Sequence, residues 1–228
     1  SRGLGDVYKR QVIEASIVAK SNKYLGVILL FNVKPLPDAE ELAKKEGVKI
    51  FYDNIIYKLI ENYEEWVKEE KEKEAYYEML RTVFPAKIRV LPGFIFRRSN
   101  PAIVGVEVLA GVIRPGYPLM RDDGKRLGNI LQIQSKGKQL PEAKKGSEVA
   151  ISIKGNVLVG RHFDEGDILY TDPSEDDMEK VISKFKDQLT TDMIECLKEI
   201  IKIKQRSSRS FGLSILMKLK KIEAEIKG

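Results

Sequence analysis

Between residues 85 and 162 the sequence places 14 Lys and Arg against 5 Asp and Glu. The cations fall at Arg97-Arg98, Arg114, Arg121, Lys125-Arg126, Lys136, Lys138, Lys144-Lys145 and Arg161, largely in segments that read as loops. Loops gathered at one end of a sheet make a cationic mouth. Such a mouth raises the association rate with a phosphate backbone and adds counterion release to the affinity. Arginine contributes further because its planar guanidinium pairs with phosphate and stacks on bases. RNA is the first reading of this chemistry, an acidic protein the second, and a merely basic surface the third.

Covalent and hydrolytic chemistry is poorly supplied. A P-loop needs glycines ahead of Lys-Ser or Lys-Thr; at Lys20-Ser21 those positions are Glu14 and Ala19. G-x-S-x-G is absent, and His162 has no Ser or Cys nucleophile nearby in sequence. Cys196 stands at helical spacing from Ile200 and reads as a small core residue. One Cys and one His exclude an intrachain disulfide framework or zinc site, each of which needs several such residues. The expectation is a binding module, not an enzyme, with no metal and no cofactor in this stretch of chain.

The elements that must position these residues follow from composition and patterning. The chain has 228 residues, 43% hydrophobic and 32% charged, with a net charge of +6, so it supports folded cores. No apolar run approaches the ~18 residues of a membrane span, and free thiol usage fits a reducing cytoplasm. Residues 1–11, ending in Asp6-Val7-Tyr8-Lys9-Arg10-Gln11, look like read-through of a sequencing adaptor and are set aside as a non-native leader. Residues 12–53 then read as a partial α/β/α domain. Val12, Ile13, Ile17 and Val18 suggest a strand, Leu25 to Val33 a second strand buried on both faces, Asp38 to Glu46 a helix closed by Gly47, and Val48 to Tyr52 a further strand.

Residues 54–84 contain no Gly or Pro and predict one long connecting helix with Asp53 as N-cap. Its apolar stripe at Ile56, Leu59, Ile60, Tyr63, Trp66 and Val67 is interrupted by the wholly charged Lys68 to Glu74, then resumes at Tyr76, Tyr77, Leu80 and Val83. A helix docked at both ends and bare in the middle joins two bodies into a dumbbell. Residues 85–206 read as an antiparallel β-barrel, or a sandwich, with terminal helices, the barrel being the first reading. Ile103 to Ile113 is a long strand, and Asp123-Gly124 turns between Tyr117 to Met120 and Leu127 to Ile133. Val149, Ile151 and Ile153 alternate with Glu148, Ala150 and Ser152, whose face has room for a ligand or a neighbouring element. After acidic Asp172 to Asp177, helices are expected at Met178 to Leu189 and Asp192 to about Arg206, with Thr191 as cap. Residues 207–228 add a basic amphipathic tail helix, Phe211 to Lys227. The fold class is therefore α+β. A protein-interaction adaptor built on the terminal helices, or a membrane surface read by the last one, are the rival functions.

Five ordered strings carry a family resemblance: Gly47-Val48-Lys49-Ile50-Phe51 with Ile55-Ile56-Tyr57; Phe84-Pro85 followed by Leu91-Pro92; Gly105-Val106-Glu107-Val108; Ala143-Lys144-Lys145-Gly146 with Val149-Ala150-Ile151; and Gly160-Arg161-His162-Phe163. Together they resemble the C-terminal half of translation initiation factor 5B, the archaeal and eukaryotic relative of bacterial initiation factor 2. The resemblance implies a fragment of a translation GTPase. Its fourth domain would hold the methionylated acceptor end of initiator tRNA and support ribosomal subunit joining, with the GTP and Mg sites in a missing upstream domain. It implies a cytoplasmic monomer whose partners are initiator methionyl-tRNA, the ribosome and, through the terminal helices, initiation factor 1A. The tail beyond Arg206 departs from the family's short ending. Carried over residue by residue, Val106 would border the methionyl side chain and Glu148 accept a hydrogen bond from its α-amino group. Lys136 and Lys138 would hold terminal phosphates, and Arg161 and His162 match the family's own string. The alternatives are Val106 as ordinary core, Glu148 as a solvated strand residue and the lysines as free surface.

Overall fold

The computed structural model describes residues 4–227 and forms two compact units that divide between Tyr76 and Tyr77. Residues 1–3 of the supposed leader lie outside the described residues.

The first unit runs α1 (Leu4–Ser21), β1 (Val27–Phe31), α2 (Pro37–Glu46), β2 (Lys49–Asp53) and the greater part of α3 (Ile56–Arg81). The segment expected as a strand at Val12 to Val18 is helical, and α1 begins within the stretch set aside as a leader. Val12 and Ser16, four apart, are buried, with Tyr8 and Ala15 packed beside Val12, while Ile13, Ile17 and Val18 face outward. With no Gly or Pro after Gly5, this i, i+4 burial overrides the β-branched local preference. β1 and β2 pair in parallel from Val27 opposite Lys49 to Phe31 opposite Asp53. β1 is not buried on both faces, because Leu29 and Phe31 are about half exposed. α2 starts with Pro37 and ends at Gly47, whose φ of 71° suits the left-handed C-cap that glycine adopts without a Cβ penalty.

Asp53 closes β2 instead of capping α3, and its carboxylate accepts the backbone N–H of Ile55. Leu59 of α3 is buried, and Tyr63 and Trp66 form an edge-on aromatic cluster with Tyr24 and Phe51. The charged segment of α3 is exposed but not bare. Lys23 bridges Glu70 and Glu74 at 2.9 and 2.8 Å, and the Tyr24 hydroxyl donates to Glu74. These hydrogen bonds from Lys23 hold both carboxyls below the ordinary glutamate value.

The second unit contains β3 (Ala86–Arg97), β4 (Ala102–Ile113), β5 (Pro118–Arg121), β6 (Arg126–Ser135), β7 (Lys138–Leu140), β8 (Ala143–Lys144), β9 (Glu148–Lys154) and β10 (Ile168–Thr171). Helices α4 (Glu175–Ser183), α5 (Thr191–Gln205) and α6 (Leu213–Lys227) follow, with a single 3-10 turn at Lys186–Gln188 between the first two. Pairings run β3-β10-β5-β6-β9-β4, and β4 pairs again with β3, so six antiparallel strands form a closed circuit with no free edge among them. Alternation fills its interior: Ala86, Ile88 and Val90 from β3, Val104, Val106 and Val108 from β4, and Val149, Ile151 and Ile153 from β9.

Where α3 gives way to the sheet, Tyr76 and Tyr77 are exposed and the apolar contacts come from Met79 and Val83. Phe84 is buried in the core, and the Thr171 hydroxyl accepts from Ala86 N and donates to Phe84 O, both at 2.8 Å. Buried Arg114 pairs with Glu142, donates to the Tyr117 hydroxyl and lies over the Phe84 ring. Burial alone would raise the Glu142 carboxyl, but hydrogen bonds from Arg114 and Lys144 bring it below the usual range. Burial pushes the Tyr117 phenol up, and its hydroxyl donates to Thr82 O at 2.6 Å.

The acidic stretch expected as a turn begins α4. Ser174 and Asp177 make a reciprocal capping box, which moves the helix start upstream of Met178. Thr190, not Thr191, stands at the N-cap position of α5, without a side-chain cap hydrogen bond, and the apolar face from Met193 to Ile201 is buried, Cys196 included. Burial pushes that thiol up, so it is not a poised nucleophile. In α6 the buried stripe is Ile215, Leu219 and Ile222, with Leu213 exposed. α6 packs against α4, and Lys218 reaches Glu179 at 2.5 Å. The face that would meet a membrane is thus used inside the unit. No helix among the described residues is long and apolar enough to cross a membrane.

Candidate nucleic-acid interface

The six residues singled out from the sequence fall at three places in the second unit. Lys136 and Lys138 flank Gly137 at the β6–β7 hairpin. Lys136 and Gly137 have φ of 49° and 75°, as a two-residue turn with left-handed central residues requires, so both lysines stand at its exposed tip. β6 pairs with β9 as far as Gln134 opposite Ala150. That pairing stops two residues short of the turn, and two residues before Ala150 stands Glu148, which is exposed and lies directly across from Glu107 of β4. Glu107 is in turn paired with Arg89.

Val106 belongs to neither of the exposed sets. It is 0% exposed and stands opposite Val90 and Val149 on the inward side of β4. A residue that borders a ligand needs surface, and Val106 has none here. Its neighbours Gly105 and Glu107 supply the outward positions.

Arg161 and His162 lie near the opposite end of β6. That strand has 10 residues, so its two ends are roughly 30 Å apart. They sit in a tight loop where Gly160 N donates to Phe163 O at 2.8 Å and both Arg161 N and His162 N donate to Leu158 O. The His162 ring accepts the Leu158 N–H at Nδ1, at 2.9 Å, which fixes its orientation and leaves Nε2 as the remaining ring nitrogen. Arg121, Lys125, Arg126, Leu127, Asn156, Arg161 and His162 line a cavity of about 420 Å³. Arg121 is committed, donating to His162 O and pairing with Asp123 at 3.0 Å. Lys125, Arg126 and Arg161 form no ion pair among the described residues, so the cavity keeps three uncompensated cations with no acid on its lining. An excess of cationic donors of this kind is the chemistry that attracts an anion.

Not every sequence cation contributes. Arg114 is buried against Glu142, and Lys144 pairs with the same carboxylate. Arg126 and Lys125 join Arg161 because β6 pairs with β9, Asn129 opposite Lys154, which sets the start of β6 beside the loop that follows β9, a long-range relation that local patterning does not carry.

The model of Elongation factor Tu domain 4 matches residues 84–170, and that of Translation-initiation factor 2 matches residues 1–64. A protein of Hyperthermus butylicus described as "Probable translation initiation factor IF-2" is 58% identical over 92% of this chain and 34% of its own length. Its counterpart in Aeropyrum pernix is 50% identical over 95% of this chain and 35% of its length. The crystal structure of GDP-bound aIF5B from Aeropyrum pernix superposes with a TM-score of 0.58 at 48% identity, covering 95% of this chain and 35% of that one. The chain belongs to the IF-2/aIF5B family of translation initiation factors. It spans about a third of the length of these IF-2 relatives and corresponds to their C-terminal part. Within it, the Elongation factor Tu domain 4 match begins at buried Phe84 and ends at Tyr170, the strands that close the sheet.

Proposed function

We propose that the second unit is a β-barrel that binds the methionylated acceptor end of initiator tRNA, and that the chain thereby serves the parent factor in ribosomal subunit joining. The observation that carries this reading is the cavity of Lys125, Arg126, Arg161 and His162, an uncompensated cationic site on a translation factor fold. Phosphates of the acceptor strand occupy it, Lys136 and Lys138 hold phosphates at the hairpin end, and Glu148 receives the α-amino group of the methionyl ester. Val106 supports the neighbouring backbone from inside the sheet. The fragment itself hydrolyses nothing; GTP and Mg belong to the part of the parent protein outside this chain. The ribosome and, at the terminal helices, initiation factor 1A are its further partners, and it works in the cytoplasm as a monomer.

The test is the affinity of this chain for initiator tRNA, methionylated and uncharged, across a salt series, with Glu148→Ala alongside. Glu148 contributes only when an α-amino group is present, so the charged form is expected to bind several-fold tighter and to lose that advantage in Glu148→Ala. Equal affinity for both forms in the unaltered protein would remove the aminoacyl part of the proposal.

A further inference from the structure

The outward face between the two cationic ends carries an unpaired aromatic feature. Past the break in pairing between Val90 and Ile95, β3 presents Phe94 and Phe96 two residues apart, 51% and 63% exposed, with ring centroids 6.4 Å apart. Gly105 explains how they are held. A Cβ built on it would lie 2.6 Å from the Phe94 Cβ, so Phe94 rests on bare backbone at the outward face of β4. Gly105 is paired with Ala150, and Ile103 with Ser152, so these four residues make the floor beside the rings. Ser152 is 9% exposed, and its Oγ is a buried polar atom with no partner among the described residues, so the floor has unused hydrogen-bonding capacity.

Two half-exposed phenyl rings in contact with each other offer a flat apolar surface on which a planar group can stack. The surroundings identify the chemistry of the cover. On one side, Ala150 leads two residues along β9 to Glu148 and the Lys136 turn. On the other, β3 ends in Arg97, followed by Arg98, whose carbonyl accepts Val159 N at 3.0 Å and whose guanidinium lies 3.4 Å from a Cβ built on Gly160. Gly160 precedes Arg161 of the cationic cavity. The rings therefore lie between the Lys136 turn, reached past Glu148, and the adjacent Arg97 and Arg98, which lead to the Arg161 cavity. A protein partner with an apolar knob would not need cations on both sides; a single-stranded polynucleotide needs both, because its bases and phosphates alternate along the chain.

We propose that Phe94 and Phe96 form a stacking platform for the bases of single-stranded RNA, whose flanking phosphates are taken by Arg97, Arg98 and the Arg161 cavity. This deepens the tRNA reading and rests on it for the identity of the RNA, but the platform itself is testable without tRNA. Phe96 is the residue to change, since its exposure makes a folding defect avoidable, whereas Phe94 supports β4.

The experiment measures binding of the full chain to a short single-stranded RNA of mixed sequence and to the same RNA annealed to its complement, for Phe96→Ala, Phe96→Leu, Phe96→Tyr and Arg161→Ala. Base stacking of ordinary strength predicts that Phe96→Ala weakens single-strand binding by roughly fivefold to a hundredfold with the salt slope unchanged. Phe96→Tyr should stay near the unaltered protein, Phe96→Leu should fall with alanine, and duplex binding should not respond. Arg161→Ala should lower the salt slope instead. Full retention by Phe96→Ala, rescue by leucine, or no single-strand binding at all would each overturn the platform. Retained loss in Arg161→Ala on tRNA with an inert Phe96 would leave the tRNA proposal standing alone. A Phe96 effect on RNA with no discrimination of charged tRNA would leave the platform standing alone.

Discussion

Gly111→Ala is expected to destabilise the second unit by about 4 kcal/mol or more. Gly111 has a φ of 72°, and a Cβ built there would lie 1.8 Å from the Pro85 carbonyl oxygen and 3.0 Å from the Ala86 Cα. The obstacle is backbone on the paired strand, which no rotamer change relieves. Three further contacts converge on the same residue. It stands opposite Ala86 in the β3–β4 ladder, its N–H donates to Asp192 at 2.8 Å, and its carbonyl accepts Lys145 N at 3.0 Å. The substitution therefore strains the strand pairing, the docking of α5 and the β8 turn together. Hydrogen exchange at Ile88, Val106 and Ile151 during denaturant titration gives the readout. Unchanged protection in Gly111→Ala would mean that the closure of the sheet at this point is wrongly described.

Replacing Arg126 and Arg161 together by alanine should weaken initiator tRNA binding by roughly thirtyfold at low salt, as loss of two charge-assisted contacts predicts. The log–log salt slope should become shallower by about 1.4 to 1.8, since each phosphate contact contributes ~0.7 to 0.9. Both side chains lie on the cavity without an acidic partner, so their removal leaves no buried carboxylate behind and the fold should be spared. Arg114→Ala is the contrasting case: that cation is equally basic but buried and paired with Glu142, and its loss should appear in stability. A double variant that binds as the unaltered protein does, with the same salt slope, would move the phosphate site away from this cavity.

Much of the second unit was legible because its elements are local and regular. The alternation in β9 and the Asp123-Gly124 turn between β5 and β6 appear as written in the residues, while α6 starts at Leu213 and not Phe211 and buries Ile215, Leu219 and Ile222 with Leu213 exposed. The first unit resisted because Val12, Ile13, Ile17 and Val18 satisfy a strand pattern and a helix pattern at once. Only the burial of Val12 and Ser16 on one side decides between them. Carrying site residues over from a family string also blurs parity. Val106 and Glu107 are neighbours in the string, yet one faces the core and the other the outside, and the flanking Val104 and Val108 already marked the inward parity. The cationic cavity was legible as a set of charges but not as a place. Arg126 and Arg161 are joined by the pairing of β6 with β9, and no window of sequence contains that relation. Phe94 and Phe96 were a missed signal: two large aromatics alternating with Ile95, just ahead of Arg97-Arg98, is an outward stripe that strand parity alone predicts.

The central claim is that this unit grips the acceptor end of a tRNA and not RNA in general. The most direct measurement compares the affinity of the chain for methionylated initiator tRNA with that for the same tRNA trimmed of its single-stranded 3′ nucleotides, at one fixed salt concentration. The account predicts that trimming weakens binding at least tenfold, because it removes the aminoacyl group and the bases that reach the outward face together. Equal affinity for the intact and the trimmed molecule would contradict it, reducing the second unit to a basic surface that reads charge alone.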